Sequence, residues 1–271
     1  MVPLLVLACR GAGEPAVQLS DAFTGGVGEW VDLTHPFSEE AIYWPTARSF
    51  ALEEVSYGET EGGYFYAAYA FSAAEHGGTH LDAPIHFYRD RMTVEEIGLD
   101  RLIGPAAVVD VSDSAAANPD YRVQRADLED WEARHGRLED GTILLLRAGW
   151  SERWPDPERY LGTARRGPEA VSELHFPGLH PDAARWLVES RSVAAVGIDT
   201  PSIDHGPSTD FLAHRILYEA SVPGFENVAR LEALPPWGAF VVALPMKIEG
   251  GSGAPLRIVG FVPGEAGDAP P

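Results

Sequence analysis

The 271-residue chain has little cysteine and little positive charge. Its single cysteine, Cys9, excludes an intrachain disulfide and a metal site built from several thiolates. Any bound metal must therefore be held by histidine and carboxylate side chains. Only 20 Lys and Arg residues stand against 41 Asp and Glu residues, which gives a formal net charge of −21. Because this charge repels phosphate backbones, nucleic acid is not expected as a partner.

The sequence also lacks an apolar run of the roughly 20 residues that a membrane-spanning helix needs. Residues 1–9 are apolar but have no basic segment before them, and Val6-Leu7-Ala8-Cys9 resembles the lipid-attachment box of bacterial lipoproteins. We expect residues 1–28 to be a flexible N-terminus or a clipped export signal. Residues 29–263 are expected to form a single domain, and residues 264–271 a flexible tail. A cytoplasmic location is favoured, with an exported or lipid-anchored protein as the alternative.

Short apolar or alternating runs bounded by Gly and Pro indicate about seven strands and only a few short helices. The strands are predicted at residues 30–34, 65–71, 106–111, 142–147, 193–199, 239–248 and 256–261. The helices are predicted at residues 127–135, 181–190 and 210–217. Because the strands outnumber the helices and do not alternate with them regularly, we expect an α+β fold with a mixed, largely antiparallel sheet.

Candidate chemistry is concentrated between residues 76 and 86, where three of the nine histidines lie within eleven residues. Imidazole nitrogens and carboxylate oxygens suit Zn²⁺ or Mn²⁺. In extended backbone the side chains of His80 and Asp82 point to the same face, so they can share one ion. Gly77-Gly78 lets the chain turn and bring His76 back to join them. The alternative is a polar surface loop in which His76, His80 and His86 are merely hydrogen-bonded.

A second group of candidates lies downstream. His214 falls on the helix predicted at residues 210–217, and Glu226 follows in an apolar context where an unpaired carboxylate is costly to bury. Each also has a simpler interpretation, because His214 could lie on the surface and Glu226 could start a helix. Residues 199–204 end an apolar strand with a cluster of polar side chains, which is typical of a site but also of a plain turn.

These residues carry a family resemblance. The pattern His-x-Gly-Thr-His-x-Asp-Ala-Pro-x-His at residues 76–86 resembles the signature of the putative cyclase family, which includes bacterial kynurenine formamidases and isatin hydrolases. The similarity continues through Trp44-Pro45, residues 197–202, the downstream pair of His and Glu, and residues 243–248. It therefore covers roughly residues 30–262.

The resemblance implies a swivelling β/β/α fold, usually dimeric, and a metal-dependent hydrolase of C–N amide bonds with one or two Zn or Mn ions per chain. It favours an arylformamidase, which would convert an N-formylkynurenine-type formamide to formate and an aromatic amine. An isatin-type lactam hydrolase is the alternative. This chain is longer than a typical bacterial kynurenine formamidase, and much of the excess lies between residues 113 and 175, a region that is also longer in isatin hydrolases. A protein of another class, with a purely structural metal, also has to be considered.

The resemblance also assigns roles to individual residues. The family's metal ligands match His76, His80, Asp82, His214 and Glu226. Asp82 would then bridge two ions. His86 matches the family's acid/base histidine, which lies close to the metal but is not necessarily bound to it. Apart from the resemblance, the sequence offers aromatic residues that could form the walls of a pocket for a small aromatic substrate. These are Tyr43, Trp44, Tyr64, Tyr66 and Trp154.

Overall fold

A closed β-sheet forms the centre of the computed structural model, which describes residues 28–264. The predicted N-terminal and C-terminal segments therefore lie outside the described residues, apart from Gly28 and Gly264. The strands are β1 (Gly28–Asp32), β2 (Ala51–Glu59), β3 (Phe65–Ser72), β4 (His80–Asp82), β5 (Ile103–Asp110), β6 (Arg122–Val123), β7 (Ile143–Arg147), β8 (Gly178–Leu179), β9 (Ala195–Ile198), β10 (Gly224–Glu226), β11 (Trp237–Pro245) and β12 (Gly253–Pro263). The α-helices are α1 (Leu99–Leu102), α2 (Ser112–Ala117), α3 (Arg125–His135), α4 (Pro157–Leu161), α5 (Pro181–Ser190) and α6 (Leu212–Glu219).

The main sheet has the order β1-β12-β11-β5-β7-β9-β10-β4, and β4 also pairs with β12. This last pairing closes the sheet into a barrel. Strands β5, β7, β9 and β10 run parallel to their neighbours within that group, whereas β11, β12 and β4 pair antiparallel. The α+β class with a mixed sheet and few helices is confirmed. The closure of the sheet is a feature that the sequence did not predict.

Two apolar clusters cover the two faces of strands β5 and β7. Ile143 and Leu145 belong to a cluster with Phe225 and Ile258 from the other barrel strands. Leu144 and its neighbours face a second cluster, to which α3, α5 and α6 contribute Trp131, Leu187 and Leu217. Burial on both faces explains why the sequence of β7 is a continuous apolar run rather than an alternating one.

Every predicted element overlaps an element of the structure. Each of the seven predicted strands overlaps an observed one, namely β1, β3, β5, β7, β9, β11 or β12. The helix predicted at Pro181–Ser190 matches α5 at both ends, and the other two overlap α3 and α6. Strands β2, β4, β6, β8 and β10 were missed. Four of these five are only two or three residues long, too short for a detectable period.

Strands β2 and β3 form a separate antiparallel hairpin, here called the hairpin arm (residues 51–72). Most of its residues are exposed, including large apolar ones. No helix within residues 28–264 combines the length and hydropathy that crossing a membrane would require.

Candidate functional site

Strand β4 lies between β10 and β12 and positions the first candidates. His80 is directly opposite Glu226 of β10, and Asp82 is opposite Gly224 of the same strand. All three residues of β4 are buried. Since paired residues on neighbouring strands share a face, this register brings a histidine, an aspartate and a glutamate together. The expectation that His80 and Asp82 share a face agrees with their position on one strand.

The Gly77-Gly78 pair brings His76 to the same place. Gly78 has a φ of +60°, which a residue with a side chain rarely adopts, and a Cβ at Gly77 would overlap the ring of Tyr43. The resulting turn places His76 Nδ1 2.6 Å from Asp82 Oδ1. The predicted role of the glycine pair therefore fits the observed geometry.

Helix α6 supplies His214 from the other side. Its Nδ1 is 2.6 Å from Asp204 Oδ2, which fixes the ring, and its Nε2 is 2.9 Å from Glu226 Oε1 and 3.5 Å from Asp82 Oδ2. The Tyr218 hydroxyl, one turn further along the helix, donates to Asp82 Oδ2 at 2.9 Å. His214, Asp204, Asp82 and Glu226 are all buried.

The five predicted ligands form two groups that share one residue. In each group the potential ligand atoms lie within 4.8 Å of one another. One group consists of His76, His80 and Asp82, and the other of Asp82, His214 and Glu226. Each group offers imidazole nitrogens and carboxylate oxygens, the donor set that Zn²⁺ and Mn²⁺ accept. The cluster is therefore able to hold a metal ion.

The electrostatics of the cluster require positive charge. His80 Nε2 is buried 3.1 Å from Asp82 Oδ1 and 3.3 Å from Glu226 Oε2, and neither contact has hydrogen-bond geometry. Burial alone would lower the pKa of His80, but the two carboxylates overcome it and raise that pKa to about 10. The pKa of His214 is raised in the same way, against burial, by Asp204, Asp82 and Glu226. With these raised pKa values, each of the two rings would bind an additional proton. A bound metal ion can supply the same positive charge in place of those protons.

His86 stands apart from the two groups. It ends a single 3-10 turn, Pro84–His86, and its Nε2 is 4.0 Å from Asp82 Oδ2. Its ring stacks on that of His76 with the centroids 3.7 Å apart. Burial lowers its pKa to about 4, which favours the neutral ring. The structure thus places His86 beside the cluster, with 29% of its side chain exposed.

A cavity of about 310 Å³ opens onto the cluster and His86. Its other walls are mainly apolar and aromatic, as is usual for small-molecule sites. The aromatic lining residues are Tyr43, Trp44, Phe87 and Phe211. Tyr43 and Trp44 were candidates from the sequence. Phe87 and Phe211 were missed, although each lies within three residues of a candidate histidine.

Three of the candidate aromatic walls do not line this cavity. Tyr64 and Tyr66 lie in the hairpin arm, where they are 63% and 50% exposed. Trp154 instead stacks on the ring of His35, with the centroids 4.3 Å apart. These three residues were predicted only because they are aromatic, and residue type does not indicate which surface a side chain faces.

Supporting residues around the ligands were also missed. Asp204 belongs to the polar cluster after β9, which the sequence left as either a turn or part of a site, and it holds His214. Asn227 donates from Nδ2 to the carbonyl oxygen of Gly78, which also bonds His80 Nδ1. Tyr218 could have been found from its spacing, because it lies four residues after His214 on one helix face.

Comparison with known proteins places the chain in a family. A family model described as "Putative cyclase" matches residues 31–205. The isatin hydrolase of Roseibium aggregatum is 34% identical over 210 residues, which cover 74% of this chain and 77% of that protein. The kynurenine formamidase of Bacillus cereus is 29% identical over 231 residues, which cover 85% of this chain and 96% of that protein. The chain belongs to the putative cyclase family, as the residues of the motif indicated.

A solved structure supports the same assignment. Isatin hydrolase A from Ralstonia solanacearum matches this fold with a TM-score of 0.80 and 32% sequence identity. The match covers 93% of this chain and 100% of that chain. The similarity therefore extends over almost the whole length of both chains.

Proposed function

We propose that the protein is a metal-dependent hydrolase of the C–N bond in a small aromatic lactam or formamide. The observation that carries this proposal is the common cavity, which is lined by the histidine–carboxylate cluster and by His86. A purely structural metal needs a closed coordination shell and no adjoining pocket. Here an additional histidine outside both ligand groups faces the same cavity, which favours catalysis over the structural alternative.

The proposed ligands of the divalent ion, Zn²⁺ or Mn²⁺, are His76, His80, Asp82, His214 and Glu226. Asp82 belongs to both ligand groups, so one or two ions can be held. A divalent ion in this position lowers the pKa of water and polarises a carbonyl group. The chain's own part is to aim five side chains at one point, by the register of β4 with β10, the Gly77-Gly78 turn and the start of α6.

His86 is proposed as the group that moves the proton. Hydrolysis adds water across the C–N bond, so a proton must leave the attacking water and a proton must reach the departing nitrogen. His86 Nε2 lies 4.0 Å from Asp82 Oδ2, at the edge of the cluster and in contact with the cavity. In this role it accepts the proton of the water and then donates it to the nitrogen as the C–N bond breaks. A lactam then yields a carboxylate and an amine in one molecule.

The lining of the cavity favours a neutral aromatic lactam of the isatin type as substrate. Within residues 28–264, none of the side chains that line the cavity is lysine or arginine, so this part of the chain offers no cationic side chain there to an amino-acid carboxylate. The aromatic walls instead suit a flat uncharged ring. A kynurenine-type formamide, which carries such a carboxylate, is the second candidate, because the formamidase relative aligns over 96% of its own length.

The two substrates are distinguished by comparing kcat/KM for isatin and N-formylkynurenine on one metal-loaded preparation. We expect isatin to be preferred at least about tenfold, which corresponds to about 1.4 kcal/mol of transition-state binding. A preference for N-formylkynurenine would overturn the lactam assignment but keep the hydrolase. Turnover of neither compound, together with tight metal binding, would favour the structural metal.

We also infer that the protein works as a homodimer joined through the hairpin arm. The register of β2 with β3 gives the arm one face of large apolar side chains, and each is roughly half exposed. These side chains are Leu52, Tyr57, Phe65, Tyr69 and Phe71. A two-stranded hairpin exposed on both faces is at best marginally stable in water, so the arm requires a surface to pack against.

The size of the exposed surface fits a second copy of the chain. An aromatic side chain buries 150–250 Å² in full, so the five half-exposed apolar residues on this face present roughly 500 Å². A stable interface buries about 800 Å² on each partner, so the interface must also include apolar surface next to the arm. The apolar surface also continues from Phe71 through Phe50 to Phe37, in the segment between β1 and β2, with ring centroids about 6 Å apart. An arm and an apolar base on one chain can pair reciprocally across a twofold axis.

A further inference from the structure

The loop between β11 and β12 ends in Gly250-Gly251-Ser252, and Gly253 begins β12. The proposed ligands do not account for this glycine-rich sequence. The structure holds this loop firmly. Val94 N donates to Gly251 O at 3.0 Å, and Ala83 N donates to Ser252 O at 2.9 Å. A Cβ at Gly253 would overlap the ring of His76. The glycines therefore allow the loop to lie directly against a residue of the cluster.

A chain of hydrogen bonds connects the loop to His76. Ser252 Oγ is 2.9 Å from His76 Nε2, and it donates to Glu75 Oε2 at 2.6 Å. The backbone N of Ser252 donates to the same carboxylate oxygen at 3.1 Å. A serine hydroxyl has a single proton to donate. Since Glu75 takes that proton, Ser252 Oγ must accept its bond from His76 Nε2–H.

This direction determines which ring nitrogen His76 offers to the cluster. With Nε2–H donated to Ser252, Nδ1 is the ring nitrogen that remains for an ion, and it lies 2.6 Å from Asp82 Oδ1. The other two histidines direct their other ring nitrogen at the cluster. His80 Nδ1 bonds the carbonyl oxygen of Gly78, and His214 Nδ1 bonds Asp204, so each offers Nε2. His76 differs from them because its hydrogen-bond partner, Ser252, reaches it from the β11–β12 loop.

We propose that Glu75 and Ser252 are positioning residues, forming a carboxylate–serine–histidine relay that fixes His76 as a ligand through Nδ1. The inference rests on the proposed metal site. Partners of this kind orient a ligating imidazole and increase its basicity, and their loss typically weakens metal binding 10- to 100-fold. Because His86 stacks on His76, the relay also fixes the surface against which the proposed proton carrier packs.

The test compares Zn²⁺ affinity, measured by competition with a chelator, among S252A, E75A and the conservative variant S252T. The matched control is E95Q, because Glu95 also bonds this loop, through Gly250 N at 2.9 Å, but does not contact His76. We expect S252A and E75A to bind Zn²⁺ about 10- to 100-fold more weakly, and S252T and E95Q to bind within about threefold of wild type. Equal affinity of S252A and E95Q would overturn the relay.

A second measurement is independent of catalysis and is made on the wild-type protein. In the metal-free wild-type protein, ¹⁵N spectra report which ring nitrogen of each histidine is protonated, and the signals of His76 are identified by their absence in H76A. The relay predicts protonation of His76 at Nε2, whereas protonation at Nδ1 alone would overturn it. If the wild-type protein binds Zn²⁺ but hydrolyses nothing, the proposed function fails and the relay is still decided by these two measurements.

Discussion

The candidate histidines divide by what holds their rings. His80 and His214 each have one nitrogen fixed by a buried acceptor and the other directed at carboxylates. His86 has no such anchor among the described residues; its ring rests on His76 and borders the cavity. A metal ligand requires a fixed lone pair, whereas a proton carrier requires access to the substrate. The roles proposed for the two kinds of histidine follow from this difference.

Replacement of His86 by alanine separates these roles. We expect the H86A variant to lose about 10²- to 10⁴-fold in kcat, because it removes the group that carries the proton, while its metal content stays that of wild type. The measurements are steady-state hydrolysis and metal analysis of the purified variant.

The matched control for H86A is H76A, which removes a proposed ligand from the ring stacked against His86. H76A should lose metal as well as activity. If H86A loses as much metal as H76A, His86 is a ligand and its proposed role as proton carrier is wrong.

The motif at residues 76–86 was sufficient to predict which side chains meet, because their spacing is local. Gly77-Gly78 and the alternation along β4 are short-range effects that a sequence displays directly. The partners Ser252, Asp204 and Asn227 were not predictable as such, since they approach from parts of the chain far away in sequence. Their positions depend on the closed sheet, which is a property of tertiary structure.

The shortest strands decide where the site lies. Strands β4 and β10 have three residues each, yet their pairing aligns His80 with Glu226, and the pairing of β4 with β12 closes the barrel. Such segments have no detectable period, and long-range pairing leaves no local signal. Strands β5, β7 and β9 were predictable for the opposite reason. They are buried on both faces, so nearly every residue is apolar and the strand is visible in the sequence as a continuous apolar run.

Asp199, at the end of β9, illustrates how a buried carboxylate can hold two segments together. Its two oxygens accept from Ala148 N at 2.7 Å and Trp150 N at 2.9 Å, just after β7. We expect D199A to lower the free energy of unfolding by about 3 kcal/mol, because two buried N–H groups lose their acceptor. Urea unfolding of the metal-free protein measures this loss.

The control for D199A is D113A, which removes an exposed aspartate and should change stability by less than about 0.5 kcal/mol. A D199A protein as stable as D113A would show that the two backbone groups find other partners. The link between β7 and β9 would then not depend on Asp199.

At the level of the assembly, the hairpin arm presents an exposed apolar face that, in the described part of the chain, does not pack against the barrel. We expect sedimentation of the wild-type protein to give the mass of two chains, and the double variant F65E/Y69E to give the mass of one. The reason is that two charges would be placed in the centre of the proposed apolar interface.

The control for the arm is L99E, which places the same charge on an apolar side chain that is 63% exposed on α1. It should remain a dimer. A monomeric wild-type protein at tens of micromolar, or a double variant that still sediments as two chains, would refute the arm as the dimer interface.

The central claim is that the histidine–carboxylate cluster holds a divalent ion needed for hydrolysis of a C–N bond. The most direct measurement follows isatin turnover by absorbance in untreated enzyme, in chelator-treated enzyme, and in treated enzyme restored with Zn²⁺ or Mn²⁺. The account predicts that turnover disappears on chelation and returns with the ion, and that a H80A variant treated identically does not recover. Undiminished turnover by fully metal-depleted protein would contradict it.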